Sequence, residues 1–232
     1  MRVLKHKEID QDIILGKDRF YNLVIENPLF FRNYLLGIKN QIANAEPYLL
    51  FYDNDKETDL GKVAYVIDNP WAVELDEKKE STLIQKDIAS HINQQQKEDY
   101  EVLVNAIEAY LKGITYDYSL PLAFDEDISL PNLLKLVSVT AAQENPSFLE
   151  GLILSIKKIA FLSKANLFFL VNLHDWLSQK EMAQFVESMR SLELDFVLLS
   201  SHLPTHPDSS ESIIHIDEDL CEIPVEVKIR KD

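Results

Sequence analysis

The pattern of apolar positions between residues 164 and 223 predicts a strand–helix–strand unit. A near-continuous apolar run from Leu167 to Val171 is typical of a strand that is buried on both faces, as in a parallel sheet. Ser178 and Glu181 then have the spacing of a capping box, which predicts that a helix begins there. A second apolar run, Phe196 to Leu199, predicts the next strand.

Other segments extend this α/β pattern on both sides. Asn27 and Pro28 predict the start of a helix that ends near Asn44, because Asn is a favoured cap and Pro a favoured first helical residue. Another helix is predicted over Phe148–Leu162, behind a second capping-box pair. Further strands are predicted at Asp12–Leu15, Phe20–Ile25, Tyr48–Tyr52 and Lys62–Ile67, with edge strands at Ile213–Ile216 and Pro224–Ile229.

The middle of the chain has a different character. From Glu77 to Lys112 it contains no glycine and few strand-forming segments, which predicts helix. A further short helix is predicted at Pro131–Val139. Within Glu77–Lys112 the apolar residues from position 100 onward recur at helical spacing: Tyr100, Leu103, Val104, Ile107, Tyr110 and Leu111. We therefore expect an α/β domain formed by residues 1–76 and 145–232, interrupted by an α-helical domain over residues 77–144.

The composition predicts a cytoplasmic protein with a substantial core. The chain has 232 residues, of which 46% are hydrophobic. Its single cysteine, Cys221, excludes an internal disulfide and a cysteine-based metal site, which fits a reducing compartment. The first residues lack the apolar centre of a signal peptide, and no apolar run approaches the roughly 18 residues that indicate a membrane-spanning helix.

The charge balance restricts how this chain could bind nucleic acid. The formal net charge is −16, which by itself argues against phosphate binding and is typical of a surface that keeps a protein soluble. Only 5 of the basic residues are arginine, the residue favoured for contacts with base edges. Any contact with DNA is therefore expected to be made to the backbone, without sequence preference.

Nucleotide hydrolysis is disfavoured, although the strand–helix–strand unit looks like the core of a nucleotide hydrolase. The chain has only 5 glycines, and phosphate loops need glycine so that several backbone N–H groups converge on one anion. Gly61-Lys62 lacks the rest of a phosphate-loop motif, and the first strand-to-helix turn, Ile25–Phe31, cannot wrap a triphosphate. Asn172 ends a strand where such enzymes hold a magnesium-binding aspartate, and an amide is the poorer ligand.

The histidines leave alternatives open. His202 and His206 have the spacing of a helical zinc pair, but Pro204 breaks a helix there, so solvated loop histidines are favoured. His174-Asp175 is either an acid–base pair or, as we favour, part of a helix-capping loop.

Acidic residues are concentrated in two loops. Asp125-Glu126-Asp127, with Asp117 nearby, is either a solvated loop or a calcium site, because calcium takes about six to eight oxygen ligands in a flexible geometry. Asp217-Glu218-Asp219 with Glu222 has the same two interpretations. Each lysine in turn is most simply a solvated surface residue, including two that flank a polar loop and three on or just after one helix: Lys56, Lys62, Lys157, Lys158 and Lys164.

A series of short motifs between Asp117 and Ile223 occurs in a recognisable order and spacing. They are Phe124-Asp125-Glu126, Leu136-Val137-Ser138-Val139, Leu162-Ser163-Lys164, Phe169-Leu170-Val171-Asn172, Leu177-Ser178-Gln179-Lys180-Glu181 and Asp217-Glu218-Asp219. In this series the chain resembles the Csn family, the small adaptation proteins of type II-A CRISPR systems. The N-terminal third matches mainly in outline, through Phe51-Tyr52-Asp53 and Tyr65-Val66-Ile67-Asp68.

The resemblance implies a fold and a function. The fold is an α/β head with a degenerate P-loop-hydrolase-like, mainly parallel sheet, and an inserted α-helical leg. Such proteins are not known as enzymes; they form a homotetrameric ring, bind Ca²⁺, and hold the ends of linear double-stranded DNA in a lysine-lined hole. They act with the adaptation integrase and the effector nuclease during spacer acquisition in antiviral defence.

The resemblance also implies roles for individual residues. Lys56 and Lys62 are the best candidates for the DNA channel by motif position, with Lys157, Lys158 and Lys164 as further candidates, and the calcium ligands would be Asp117, Asp125, Glu126 and Asp127. Four copies of a few inward lysines would give a positive hole in a net negative protein, and a closed ring would thread onto DNA from an end. Two alternatives remain: a nucleotide hydrolase or kinase of degenerate P-loop type, and a protein-interaction scaffold that does not bind DNA.

Overall fold

A computed structural model describes residues 1–16, 19–44, 46–73, 77–116, 118–120, 122–123, 128–139 and 146–224 of the chain. The chain divides into two compact units, which are described separately below. One consists of Met1–Val73 and Asn145–Asp232, and the other of Glu74–Glu144.

The first unit contains ten strands and three α-helices among the residues described. The strands are β1 (Arg2–His6), β2 (Ile9–Leu15), β3 (Phe20–Ile25), β4 (Leu50–Asp53), β5 (Lys56–Glu57), β6 (Ala64–Ile67), β7 (Leu167–Val171), β8 (Asp195–Ser200), β9 (Glu211–Ile216) and β10 (Glu222–Pro224). The helices are α1 (Pro28–Asn44), α5 (Phe148–Ser163) and α6 (Gln179–Ser191), and short 3₁₀ helices lie at Leu60–Lys62 and Leu173–Asp175.

A six-stranded sheet forms the centre of this unit, in the order β10-β9-β3-β8-β7-β6. All neighbouring strands in it are parallel except β10, which runs antiparallel to β9. The predicted α/β fold with a mainly parallel sheet is therefore confirmed. The segment 213–216 was expected at the sheet edge and instead lies in β9, one strand inside it, because β10 covers the outer side.

One face of this six-stranded sheet packs against α1 and against a second sheet, which is antiparallel and has the order β2-β1-β4-β5. Strand residues alternate between faces, so Phe169 joins the core with Leu4 and Phe51, whereas its neighbours Phe168 and Leu170 point to the other face. On that other face lie α5 and α6, where Phe185 of α6 makes an edge contact with the Phe196 ring at 5.5 Å.

Several element boundaries differ from prediction for local reasons. Tyr48 was predicted to begin a strand, but its ring packs against His6 at 4.7 Å, and the Leu49 backbone bonds to the Gln41 side chain, so β4 starts at Leu50. The strand predicted from Lys62 starts later, because Asp59 accepts a hydrogen bond from Gly61 N and opens a 3₁₀ turn. Strand β1 was not predicted.

The second unit is helical over the residues described. It contains α2 (Glu77–His91), α3 (Gln94–Tyr116) and α4 (Leu130–Leu136). Helices α2 and α3 are separated because Asn93 and Gln96 cap each other, each side-chain oxygen accepting from the other's backbone N–H. Across the part of the chain that the structure describes, no helix combines the length and the apolar character needed to cross a bilayer.

Candidate functional site

The turn from β3 into α1 is the place where a phosphate loop would lie in an open α/β sheet. Here the Asn27 side chain accepts hydrogen bonds from the backbone N–H groups of Leu29 and Phe30, at 3.1 and 3.0 Å. Its Nδ2 donates to the backbone oxygen of Glu218 at 2.9 Å. The amides that would face an anion are therefore engaged by the chain itself, in keeping with the prediction that this turn cannot wrap a triphosphate.

Asn172, at the end of β7, has a structural role. Its backbone is left-handed, with φ 48°, and its Oδ1 accepts from Ser201 N at 2.9 Å and from Ser201 Oγ at 3.3 Å. The amide thus ties the end of β7 to the end of β8 in the position where a nucleotide hydrolase holds its metal-binding carboxylate.

A buried polar network that the sequence did not predict lies on the α6 face of the sheet. Glu211 has a fully buried side chain and accepts from Asn22 Nδ2 at 2.8 Å and from Asp208 N at 3.0 Å. His174 Nε2 lies 3.0 Å from the same carboxylate, and Ser200 Oγ donates to Asn22 Oδ1 at 2.7 Å. One sequence signal could have indicated it: Asn22 is the single polar residue in the otherwise apolar β3.

The histidine hypotheses are resolved by these partners. His174 lies in the 3₁₀ turn Leu173–Asp175, in the segment that leads to the Ser178 cap of α6, and it contacts Glu211. His202 pairs with Asp175 at 3.0 Å and is exposed, as is His206. Among the described residues no three His, Cys, Asp or Glu side chains converge on a point that could hold a metal, which includes the acidic loop at 217–222.

Two of the five candidate lysines, Lys62 and Lys164, lie on segments that meet at the amino-terminal ends of β6 and β7, which we call the lysine-bearing edge of the parallel sheet. Lys62 precedes Val63, whose backbone oxygen accepts from Asn166 N at 2.8 Å and from Leu167 N at 3.0 Å. The segments that carry Lys62 and Lys164 are therefore adjacent where β6 and β7 begin. Lys62 is 79% exposed and lies 3.7 Å from Asp59, and Lys164 Nζ lies 5.2 Å from the Phe161 ring centre.

The other three candidate lysines lie on different elements, β5 and α5. Lys56 is exposed in β5, opposite Asp53 and on the antiparallel-sheet side. Lys157 is exposed on α5, which covers the other face, and Lys158 beside it is half-buried. The proposed calcium ligands Asp117, Asp125, Glu126 and Asp127 lie outside the described residues.

Comparison with solved structures finds weak likenesses to ATP-binding cassettes. A putative ABC transporter ATP-binding protein from Pyrococcus furiosus is 11% identical, with TM-score 0.41, over 92% of this chain and 97% of that one. An ATP-binding cassette of an ABC transporter in its ADP conformation is 11% identical, with TM-score 0.40, over 88% and 82%. A dimeric cassette in a post-hydrolysis state bound to ADP and Pi is 10% identical, with TM-score 0.35, over 88% of each chain. Likenesses at this level carry no conclusion about function.

Comparison of the sequences gives the family. No curated protein matches the chain significantly. A family model described as CRISPR-associated protein (Cas_Csn2) matches residues 41–220, which include β4 to β9, all of the helical unit and the lysine-bearing edge. This match supports a role in CRISPR adaptation and confirms the resemblance that the motif series indicated. The chain belongs to the Cas_Csn2 family of CRISPR-associated proteins.

Proposed function

We propose that this protein binds the ends of double-stranded DNA, without sequence preference and without catalysing a reaction, during CRISPR spacer acquisition. The observation that carries the proposal is the family match over residues 41–220. The proposed partners are linear DNA, three further copies of the chain, the adaptation integrase and the effector nuclease.

The lysine-bearing edge of the sheet supports contact with the DNA backbone. Lys62 and Lys164 lie on adjacent segments, and both side chains are exposed to solvent. Lysine ammonium groups bind phosphates as point charges and confer little base discrimination. Contacts of this kind would bind any duplex of suitable shape.

Assembly explains how a chain of net charge −16 could hold a polyanion. In a homotetrameric ring, lysines from four copies would surround one opening, while the acidic outer surface would repel DNA elsewhere. Helix α3 supports assembly, because none of its residues is buried and several of its apolar side chains are exposed, with Val102 and Tyr110 both at 69%. A closed ring cannot load onto the middle of a duplex, so a preference for ends follows.

Calcium is proposed from the chemistry of one acidic stretch of the sequence. Asp125, Glu126 and Asp127, with Asp117, would supply carboxylate oxygens, the ligands that calcium prefers. The ion would offset the repulsion between these side chains and fix the geometry that closes the ring.

The absence of catalysis is supported by the strand ends of the sheet. Asn27 engages the amides of the β3–α1 turn, and Asn172 binds Ser201 where a metal-binding carboxylate would be required. ATP turnover by the purified protein above background would contradict this part of the proposal and favour the nucleotide-hydrolase alternative.

A gel-shift experiment tests the proposal directly. Linear duplex and covalently closed circular duplex of the same sequence are compared, each with calcium and with chelator. We expect retention of linear DNA only, and its loss on chelation. Equal capture of closed circles would contradict end binding, and failure to retain either form would favour the protein-interaction scaffold.

A further inference from the structure

A cavity of about 400 Å³ opens at the amino-terminal edge of the parallel sheet, where β3 and β8 begin. Its volume is within the range of small-molecule sites in proteins. Phe20 and Phe196 form an apolar floor, with their rings stacked at 4.6 Å. The charged side chains around it are unusual for this chain: 3 of its 5 arginines, Arg2, Arg19 and Arg190, line the cavity.

The three arginines have different surroundings. Arg2 is held in place by two carboxylates, with Nη1 at 2.7 Å from Asp195 and Nε at 3.5 Å from Asp53. Its single positive charge is therefore shared between two carboxylates that also line the cavity. Arg19 is exposed and forms no ion pair with the residues that the structure describes. Arg190 lies in the last turn of α6 and also lines the cavity.

We propose that this cavity binds a phosphate monoester. A guanidinium group presents paired N–H donors that match two phosphate oxygens, so Arg19 at the rim supplies the recognition that a surface lysine does not. Glu193 also lines the cavity, and its carboxylate opposes an anion there. A phosphate monoester is present both in a free mononucleotide and at the 5′-phosphorylated end of a DNA strand.

The position of the cavity favours the DNA terminus. Leu167 at the start of β7 pairs with Asp195 at the start of β8, and β8 in turn pairs with β3. Adjacent strands lie about 4.8 Å apart, so the cavity is one to two strands along the same edge from the segment after Lys164. A duplex end bound by the lysines would bring its terminal phosphate to this edge; this part of the inference rests on the proposed function.

Phosphate binding is measured first, without DNA. Titration calorimetry on the full chain uses inorganic phosphate and adenosine monophosphate as probes. We expect Arg19→Gln to weaken binding by about tenfold or more, since a charge-assisted hydrogen bond is removed. Arg32→Gln, at an exposed arginine of α1 outside the cavity, is the matched control and should have no effect.

Retention of duplexes that differ only in their ends then shows whether the bound phosphate monoester is a DNA terminus or a free mononucleotide. Tighter binding of 5′-phosphorylated than of 5′-hydroxyl linear DNA, with the difference abolished in Arg19→Gln, supports the DNA terminus. Equal retention of both, with adenosine monophosphate still bound through Arg19, supports the mononucleotide and overturns the DNA assignment. If neither inorganic phosphate nor adenosine monophosphate binds, the cavity is not a phosphate site, even where linear DNA is retained. Failure of the phosphate-site proposal can therefore be told apart from failure of the proposed function.

Discussion

Asn22 Nδ2 donates a hydrogen bond of 2.8 Å to Glu211 Oε1 across two neighbouring parallel strands, β3 and β9, inside the protein. Both side chains are removed from solvent, and the carboxylate is also bonded to His174 and to the backbone N–H of Asp208. A buried carboxylate is tolerated only when hydrogen-bond donors replace its water. The pair thus fixes β9 and the segment after β7 to β3.

Removal of this carboxylate should destabilise the fold. In Glu211→Ala, three donors lose their buried acceptor, and we expect a loss of about 3 kcal/mol in the free energy of unfolding. Urea denaturation measures it. Glu187→Ala, at an exposed position of α6, is the control and should change stability by less than about 0.5 kcal/mol. Similar effects of the two substitutions would contradict the role given to the network.

His6 should make stability depend on pH. It lies among the rings of Tyr34 and Tyr48, at 5.0 and 4.7 Å, and burial lowers its pKa below the usual value. The unfolded chain therefore binds a proton at His6 more readily than the folded chain does, so this contribution is complete above pH of about 6.5 and is lost as the pH falls below it.

Replacement of His6 by leucine should remove this contribution. The difference in stability measured above and below the ordinary histidine pKa should be smaller in His6→Leu than in the parent. His206→Gln alters an exposed histidine and should leave the difference unchanged. An identical pH dependence in His6→Leu and the parent would show that His6 titrates normally.

Two helical glycines should respond oppositely to alanine. A Cβ on Gly113 in α3 would meet nothing within 4 Å, so Gly113→Ala should stabilise by up to about 1 kcal/mol through helix propensity. A Cβ on Gly37 in α1 would lie 2.6 Å from ring atoms of Tyr48, so Gly37→Ala should destabilise despite the same propensity gain. Thermal melts of both variants check the sign, and a gain in Gly37→Ala would show that the Tyr48 ring moves freely.

Charge reversal at the lysine-bearing edge should weaken DNA retention. We expect Lys62→Glu with Lys164→Glu to reduce affinity for linear duplex and to lower the slope of log K against log salt by about one for each phosphate that the variant no longer binds. Lys180→Glu reverses one exposed lysine at the carboxyl side of the sheet and is the control for a single charge reversal, Lys62→Glu or Lys164→Glu alone. Lys56→Glu with Lys62→Glu tests the contribution of β5. Unchanged retention with an intact oligomer would place the DNA-binding surface elsewhere.

Calcium should control the oligomeric state. Because repulsion among the carboxylates of Asp125, Glu126 and Asp127 would return without the ion, we expect a tetramer with calcium and a smaller or more open species with chelator. Light scattering after size-exclusion chromatography gives the mass. Substitution of these three residues by their amides should reproduce the effect of chelation, and a monomer in the presence of calcium would contradict the ring.

The elements predicted best were those whose signals are local. The run Leu167–Val171 is β7 without adjustment, and the serines at 147 and 178 form the predicted capping boxes. Asn27 caps a helix that begins at Pro28. Each of these depends on contacts within a few residues, which a sequence displays directly.

The sequence by itself determined the α/β class, the helical insertion and the family, since composition, periodicity and motif order specify these without reference to distant contacts. Only the tertiary structure decided that Arg2 meets Asp195, that Asn22 meets Glu211, and that the segments of Lys62 and Lys164 begin adjacent strands. Those residues are far apart in the chain, Arg2 and Asp195 by 193 positions, so strand order and not sequence spacing brings them together.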